Sequence, residues 1–478
     1  MRLAALRADA TDASRARSIA GLAVVGAGTL IGPLDSAVNI AFPDITRSFA
    51  LPLQDIQWVV ICYVLTYSSL LLAFGKLGDL FGYRIVFIGG LAISALALAL
   101  CSVAWRFEAL LIFRSAQGIG TALVIACGPA LATSLFEERL RPRILGLYVT
   151  MFAVGQAIGP SLGGLLVDAW GWPAVFWFRC PIALAALLLS LTIPPGRQLP
   201  SRGSFDVAGA LLIALSLAAS LLALNRLQAV ADDPLTLVLL CVVAAAAFAA
   251  LAYRQTRVRD PIFRIGLFRD PDFALLNLAN CLVNLVGFSV MLLVPYYLDR
   301  IAGYPAWMAG LVLAASPVGM MLTGSAGGWA IGRLPAGLLG VGGCILVGGG
   351  TYLIGQWAQG ASVWVMLATL LLAGGGLGLF QVFYLDVVAA TLPPEERGVA
   401  GSLGMLTRTI GVVLGATGLT LLLRTSEQHY AAMSPDELAV FLAAFQATFT
   451  IAGGGLLGAL ALSALRYRMW FPPQEPAR

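Results

Sequence analysis

The sequence predicts an all-α membrane protein, on three observations. Hydrophobic residues make up 59% of the 478 residues and charged residues 11%, far from the average of soluble domains. Fourteen apolar stretches are each long enough to cross a hydrocarbon core of about 30 Å as a helix. Only five charged residues fall inside them, namely Asp35, Arg114, Arg179, Asp386 and Arg408. Lipid-exposed backbone must satisfy its own hydrogen bonds, so the spans are predicted to be helices.

The predicted spans follow one another with short connections. They cover residues 19–41, 58–74, 85–104, 109–136, 144–167, 173–193, 207–224, 234–252, 273–298, 307–331, 335–357, 363–390, 399–423 and 440–465. The apolar runs lack the ten-residue alternation of an outer-membrane barrel. The 53 glycines are typical of closely packed membrane helices.

The distribution of basic residues predicts the orientation. With the N-terminus inside, inner segments carry 21 Lys and Arg residues and outer segments carry five. Both termini are therefore expected to be cytoplasmic, in an inner, cytoplasmic-type membrane. The same asymmetry explains the net charge of +5, so no nucleic-acid partner is expected.

Nothing in the sequence indicates a cofactor or a metal. The seven cysteines are isolated within spans and lack metal-ligand spacing, so they are interpreted as small apolar fillers. Gly75 and Lys76 lack the spacing of a phosphate-binding loop, so no nucleotide is expected. The single histidine, His429, lies in an outer loop without a catalytic cluster. The basic tail before Ile19 is interpreted as uncleaved, because the apolar segment is too long for a signal peptide.

An internal repeat divides the chain into two halves. Glu137-Glu138-Arg139 recurs as Glu395-Glu396-Arg397 at an offset of 258 residues, and the same offset carries Gly118 and Gly120 onto Gly376 and Gly378. The matched helices are eight spans apart, so two six-helix halves with one inserted pair are predicted. Chance recurrence of short glycine and acidic patterns is the alternative.

This repeat predicts the domain organisation. The segments are a cytoplasmic tail (1–18), an N-terminal six-helix bundle (19–194), two inserted helices (205–254), a basic cytoplasmic linker (255–272), a C-terminal six-helix bundle (273–466) and a cytoplasmic tail (467–478). The linker mixes apolar and basic residues, so two interpretations stay open: an amphipathic segment on the inner membrane surface, or a plain charged connection.

The connection between spans 2 and 3 reads Gly75-Lys76-Leu77-Gly78-Asp79-Leu80-Phe81-Gly82-Tyr83-Arg84. This motif resembles the signature loop of the major facilitator superfamily. The resemblance implies a major facilitator fold, in which two six-helix bundles rock around a central site. It also implies a cytoplasmic latch, formed here by Gly75, Lys76, Gly78, Asp79, Gly82 and Arg84. A solvated turn that only sets topology is the alternative.

Span 5 carries a glycine motif similar to the antiporter motif of drug exporters in this superfamily. The residues are Gly155, Gly159, Pro160, Gly163 and Gly164. Glycines four apart let another helix approach closely, and Pro160 permits a bend. The resemblance favours export, whereas packing physics alone indicates helix contact with no directional role.

Spans 1 and 4 supply the candidate proton-coupling pair, Asp35 and Arg114. Their segments are similar to the first-helix and fourth-helix motifs of fourteen-span drug:proton antiporters, and Asp35 shares a helix face with Asn39. At about 1.5 Å per residue, Asp35 and Arg114 lie at similar depths, which makes an ion pair possible. One hypothesis is that Asp35 binds the exchanged proton and Arg114 sets its affinity. The alternative is a permanent structural bridge.

Arg179, at the start of span 6, is a second candidate partner for Asp35. It could instead be an anchor that extends towards the outer surface, and the sequence favours the anchor slightly.

Further polar residues within the spans are candidates for a substrate cavity. These are Asn39, Tyr63, Tyr67, Gln117, Asn277, Asn280, Asn284 and Gln381. The three asparagines of span 9 form a polar stripe, which suits either substrate contact or hydrogen bonds between helices. Arg408 is interpreted as a structural partner of Asp386. The repeat offset carries Asp35 and Arg114 onto leucines, so the chemistry of the outer cavity is assigned to the first half.

Together these features predict a secondary transporter that exports amphipathic or lipophilic small molecules in exchange for protons. The alternatives are a proton-coupled uptake symporter, an exporter of one specific metabolite, and a channel. A membrane enzyme is disfavoured. The expected partners are a small-molecule substrate, protons and the lipid bilayer. The sequence leaves the oligomeric state open, with a monomer favoured.

Overall fold

The computed structural model describes residues 20–136, 141–193, 206–226, 234–258, 269–331, 333–391 and 397–471. The long helices are α1 (Ala20–Ile40), α3 (Gln57–Phe81), α4 (Tyr83–Ser102), α5 (Phe107–Ser134), α6 (Arg141–Trp170), α7 (Ala174–Ser190), α8 (Val207–Arg226), α9 (Pro234–Arg257), α10 (Pro271–Arg300), α11 (Ala306–Ala330), α12 (Ala336–Ile354), α13 (Val363–Thr391), α14 (Arg397–Ala431) and α15 (Glu437–Ser463). Short helices are α2 (Phe42–Ser48), α16 (Tyr467–Trp470) and the 3-10 turns Pro33–Ser36, Leu53–Ile56 and Ala464–Arg466.

The fold is an all-α membrane fold. Ten helices in the described part of the chain are long and apolar enough to cross a bilayer, while α3, α7 and α8 contribute shorter apolar segments. Each predicted span overlaps one long helix. However, only ten of the described helices meet the length and hydropathy requirement, so the predicted count of fourteen spans is not confirmed. The recurring Glu-Glu-Arg segments lie largely outside the described residues.

One predicted boundary was wrong. The segment from Gly75 to Phe81 was expected to form a turn, but α3 continues through it. Hydropathy marks where a helix leaves the hydrocarbon, and a helix can continue into water beyond that point. The turn is confined to Gly82, whose φ of 91° lies in the left-handed region that favours glycine. The Gly82 N–H closes the helix on the Gly78 carbonyl oxygen at 2.9 Å.

The two predicted halves pack their fourth helices in the same way. In the first half, α5 lies against α3 and α4, with Gly118 facing Tyr63 and Gly120 facing Ser94. In the second half, α13 lies against α11 and α12, with Gly376 facing Val347. A Cβ on any of these glycines would lie under 3.0 Å from its neighbour, so the glycines permit close helix contact.

Helices α8 and α9 pack on each other, and α8 also contacts α3 and α14. Ile213 and Leu251 form a small apolar cluster with Leu65 of α3 and Ile410 of α14. The pair therefore lies against one helix of each half.

We expect Asp206→Ala to destabilise this helix pair by about 1–2 kcal/mol, the usual cost of a lost N-terminal cap. Asp206 Oδ1 accepts from the Gly209 N–H at 2.8 Å and from Arg254 Nε at 2.6 Å. Arg254→Gln is the matched control, because it removes the partly exposed cation and leaves the cap intact. The apparent melting temperature in detergent should fall more for Asp206→Ala than for Arg254→Gln. The reverse order would contradict the capping role.

Candidate transport site

Asp35 lies where α1 departs from regular helix. The chain passes through a 3-10 turn at Pro33–Ser36 before α-helix resumes at Ala37. Pro33 has no N–H to continue the helical ladder, which accounts for a break at this point. The break places the Asp35 carboxylate against α5 and α7.

Asp35 is bound by two arginines and a glutamine. Arg114 donates from Nη1 to Oδ1 at 2.7 Å and from Nη2 to Oδ2 at 2.8 Å, which makes a bidentate pair. Arg179 donates from Nη1 to Oδ1 at 2.8 Å, and Gln117 Nε2 donates to Oδ1 at 3.0 Å. The side chains of Arg114 and Arg179 are 1% and 0% exposed, and that of Asp35 is 12% exposed.

The sequence left open whether Arg114 or Arg179 is the partner of Asp35. Both arginines contact it. The interpretation of Arg179 as an anchor reaching towards the surface was wrong, since its side chain is fully buried. The error arose because helical rise gives the depth of a residue but not the direction of its side chain.

Surrounding groups hold both guanidinium groups in place. Arg114 Nε donates to the Val59 carbonyl oxygen at 2.9 Å, and the guanidinium lies 4.3 Å from the centroid of the Tyr63 ring. Arg179 Nε donates to the Val175 carbonyl oxygen at 3.0 Å. Within the described residues, Arg179 Nη2 has no hydrogen-bond partner. The cluster therefore holds two buried cations on one carboxylate.

A cavity of about 210 Å³ opens beside this cluster and is lined by both halves of the chain. Of the predicted cavity residues, it is lined by Asn39, Tyr63, Tyr67 and Asn284, together with Asp35 and Arg114. Gln117 is not among the lining residues, and its amide nitrogen donates to Asp35 instead of facing the cavity. Gln381 is also absent from the lining residues.

The asparagine stripe of α10 divides between two roles. Asn284 lines the cavity. Asn280 Nδ2 instead donates to Thr407 Oγ1 at 2.7 Å, and Asn277 Oδ1 accepts from the Tyr384 hydroxyl at 2.8 Å. Asn277 and Asn280 therefore make the hydrogen bonds between helices that were one of the two interpretations, because a buried amide close to a neighbouring helix bonds to that helix. Their contact with substrate stays a prediction.

Arg408 of α14 is a cavity residue that the sequence interpretation assigned elsewhere. It lines the same cavity as Asp35. No ion pair joins it to Asp386 or to any other carboxylate of the described residues. Its position as one of five charges within the apolar spans was the signal that could have identified it.

The two halves meet at the end of the bundle that the charge distribution predicts to face outward. Thr46 Oγ1 and the Tyr296 hydroxyl lie 2.7 Å apart, and Arg47 Nη1 donates to Asp299 Oδ2 at 2.8 Å. Thr420 Oγ1 donates to Gln57 Oε1 at 3.1 Å near the same end. These contacts join residues of α2 and α3 to α10 and α14, so this end is closed.

The glycine motif of α6 contributes to the same closure through two faces. Gly155, Gly159 and Gly163 face α1, and a Cβ on Gly163 would lie 2.8 Å from the Ala37 carbonyl oxygen. Gly164 faces α11, where a Cβ would lie 2.2 Å from the Ala306 carbonyl oxygen. On the opposite side of that contact, a Cβ on Gly310 would lie 2.3 Å from the Pro160 carbonyl oxygen. The motif thus lets the backbones of α6 and α11, one from each half, come into direct contact.

The predicted latch is described in part. Arg84 Nη2 donates to the Leu191 carbonyl oxygen at 2.7 Å, a contact within the first half. Gly78 lies against Tyr83 and Cys127. The side chains of Lys76 and Asp79 lie outside the described residues, so their role as a latch stays a prediction.

The buried ion cluster, the cavity shared by two halves and the apolar helices define an integral, multi-pass membrane transporter. The profile of the Major Facilitator Superfamily matches residues 24–416. The protein belongs to this superfamily, which places it among transporters of small molecules rather than among enzymes.

Individual relatives agree with that membership, and a solved structure shares the fold. The chain is 29% identical to the multidrug resistance protein Stp of Mycobacterium tuberculosis over 87% of this chain and 78% of the relative. It is 30% identical to the methylenomycin A resistance protein of Streptomyces coelicolor over 86% of this chain and 88% of the relative. Its fold is similar to that of a bacterial homologue of the human lysosomal transporter Spinster, in an inward-facing and unoccupied conformation. The TM-score is 0.69 at 17% identity, covering 97% of this chain and 99% of the other.

Proposed function

We propose that the protein exports amphipathic or lipophilic small molecules in exchange for protons, by alternating access between its two halves. The observation that carries the proposal is the Asp35 carboxylate, bound by Arg114 and Arg179 in the wall of the shared cavity. The drug-resistance names of the two relatives support export.

The proposed coupling follows from the charge balance of the cluster. Ionised Asp35 compensates two buried guanidinium groups. A proton on Asp35 would leave both without a counterion, and a buried charge that loses its partner costs about 3–5 kcal/mol. Protonation therefore favours a rearrangement of α1 relative to α5 and α7. Because α1 also packs on the glycine motif of α6, such a movement is transmitted to the contact between the halves.

The proton gradient supplies energy of the required size. Moving one charge across the membrane releases about 2.3 kcal/mol per 100 mV, to which a pH gradient adds. A permanent structural bridge at Asp35 would make no use of this energy, and that difference separates the two hypotheses.

We also propose the topology that the sequence predicts. Counting α3, α6, α7 and α8 with the ten helices that meet the length and hydropathy requirement gives fourteen spans. They form two six-helix halves, with α8 and α9 as the inserted pair. The proposed orientation places both termini in the cytoplasm and the protein in the inner membrane, as a monomer. The contact of α8 with α3 and α14 supports an insertion between the halves.

The test is counterflow in proteoliposomes. With an imposed pH gradient and a panel of anionic, neutral and cationic amphipaths, we expect saturable substrate movement opposite to proton movement, recorded by a pH dye in the lumen. Protein-free liposomes are the control. Protons and substrate moving in the same direction would establish a symporter instead, and non-saturable flux would establish a channel. Transport of a single compound would narrow the proposal to a specific metabolite exporter.

A further inference from the structure

The part of the cavity that the described residues line carries more positive than negative charge. Among those residues, the lining contains one carboxylate, Asp35, and two guanidinium groups, those of Arg114 and Arg408. Arg179 adds a third cation directly behind Asp35, at 2.8 Å. The single carboxylate is already bound by two of these three cations, so it compensates the third only weakly.

Among the described residues, Arg408 is the cavity cation that has no acidic partner within ion-pair distance. Across the parts of the chain that the structure describes, no carboxylate lies within 4.0 Å of its guanidinium group. It comes from the second half of the chain and is partly buried. A guanidinium group in a confined, partly dehydrated site interacts with an anion far more strongly than in bulk water.

Other residues of the lining suit an amphipathic ligand. Tyr67 and Asn284 add a hydroxyl and an amide group to the lining, the amide nitrogen of Asn284 being bound to Asn280 of its own helix. Phe152 and Phe288 supply apolar surface to the same cavity. Pockets with apolar walls and a few fixed polar groups bind the apolar body of a ligand and orient its polar group.

We propose that this cavity selects amphipathic anions, with Arg408 binding the acidic group of the substrate. This inference rests on the proposed export function and specifies its substrate class. An organic cation is disfavoured by Arg408 and by the excess positive charge around Asp35. The guanidinium geometry suits a carboxylate or sulfonate, which can accept two parallel hydrogen bonds.

The test is equilibrium binding of three matched fluorescent probes to the purified protein in nanodiscs, with no gradient applied. The probes are dansylglycine (anion), dansylglycinamide (neutral) and dansylethylenediamine (cation), and empty nanodiscs correct for partition into lipid. We expect the anion to bind about 10- to 100-fold more tightly than the amide, the range for a charge-assisted hydrogen bond. The cation should bind most weakly. Equal binding of anion and amide, or tightest binding of the cation, would overturn the proposal.

Variants then assign the preference to Arg408. R408Q should remove most of the preference for dansylglycine and leave dansylglycinamide binding unchanged, while R408K should keep most of it. R333Q is the matched control, because Arg333 is exposed and lies outside the cavity lining. Equal weakening of all three probes by R408Q would mean a purely structural role and would overturn the assignment. The comparison of probes on the unaltered protein remains decisive if R408Q does not fold.

The two proposals fail separately. Anion preference is measured without a gradient, so it can persist in a protein that does not exchange protons, and that result would reject only the coupling. Proton-coupled counterflow of neutral or cationic compounds, with no anion preference, would reject only the substrate class.

Discussion

Replacing Asp35 by Asn is expected to abolish proton-coupled transport, with a loss of at least about 100-fold in gradient-driven flux, comparable to the 3–5 kcal/mol cost of breaking a buried ion pair. Asn cannot carry the negative charge that compensates Arg114 and Arg179, and it cannot gain or lose a proton in the working range of pH. Gradient-driven counterflow in proteoliposomes measures the coupling, and equilibrium substrate binding reports whether the cavity survives.

The matched control is Asp168→Asn, which makes the same change at an exposed position at the predicted outer end of α6. It should leave the flux unchanged.

A second variant separates coupling from stability. Asp35→Asn combined with Arg179→Gln restores the net charge of the cluster, so it should regain thermal stability relative to Asp35→Asn alone. It should remain uncoupled. Full coupled transport in Asp35→Asn would reject the proton-binding role, and recovery of coupling in the double variant would indicate a structural bridge.

Gly164→Val is expected to prevent closure of the predicted outer end and to reduce transport by more than about 10-fold, since overpacking a tight contact costs about 1–3 kcal/mol or more. A Cβ at this position would lie 2.2 Å from the Ala306 carbonyl oxygen. That atom belongs to the backbone and cannot rotate away, so α6 and α11 must separate. Because these helices belong to different halves, separation opens the end of the bundle that the structure shows closed.

Pulsed electron paramagnetic resonance measures that opening. Spin labels at Glu108→Cys and Met433→Cys, in a background without the seven native cysteines, place one exposed label at the predicted outer end of each half. We expect a longer distance between the labels in Gly164→Val. Gly349→Val is the matched control, because nothing lies within 4 Å of a Cβ at Gly349, and it should change neither distance nor flux. An unchanged distance with normal transport would show that the motif has no part in closure.

Fold prediction succeeded where hydrocarbon thickness decides the structure. Each apolar run overlaps one long helix, since a backbone in lipid has no other way to satisfy its hydrogen bonds. The prediction failed at the C-terminal end of α3, where the segment with Lys76 and Asp79 was interpreted as a turn although the helix continues to Phe81. Polarity at the membrane surface does not distinguish a helix that ends from one that extends into water.

Helical rise estimates the depth of a residue but not the direction of its side chain. Counting helical rise placed Asp35 and Arg114 at similar depths, and the structure brings them into contact. The same counting could not show that Arg179 points inward to Asp35. It could not show either that Asn280 faces Thr407 while Asn284 faces the cavity. Residues on one helix share a depth range, but only the positions of neighbouring helices determine what each side chain meets.

The sequence by itself determined that this chain is a helical membrane protein with a few costly charges at membrane depth, because long apolar runs must satisfy their backbone as helices and a charge within such a run is costly to desolvate. The major facilitator type was indicated separately, by the resemblance of the loop motif between spans 2 and 3. The tertiary structure decided how those charges are used. Asp35 compensates two arginines rather than one, and Arg408 faces the cavity without a described acidic partner. Ion pairing requires contact within a few ångströms, and that proximity exists only after helices distant in sequence have packed together.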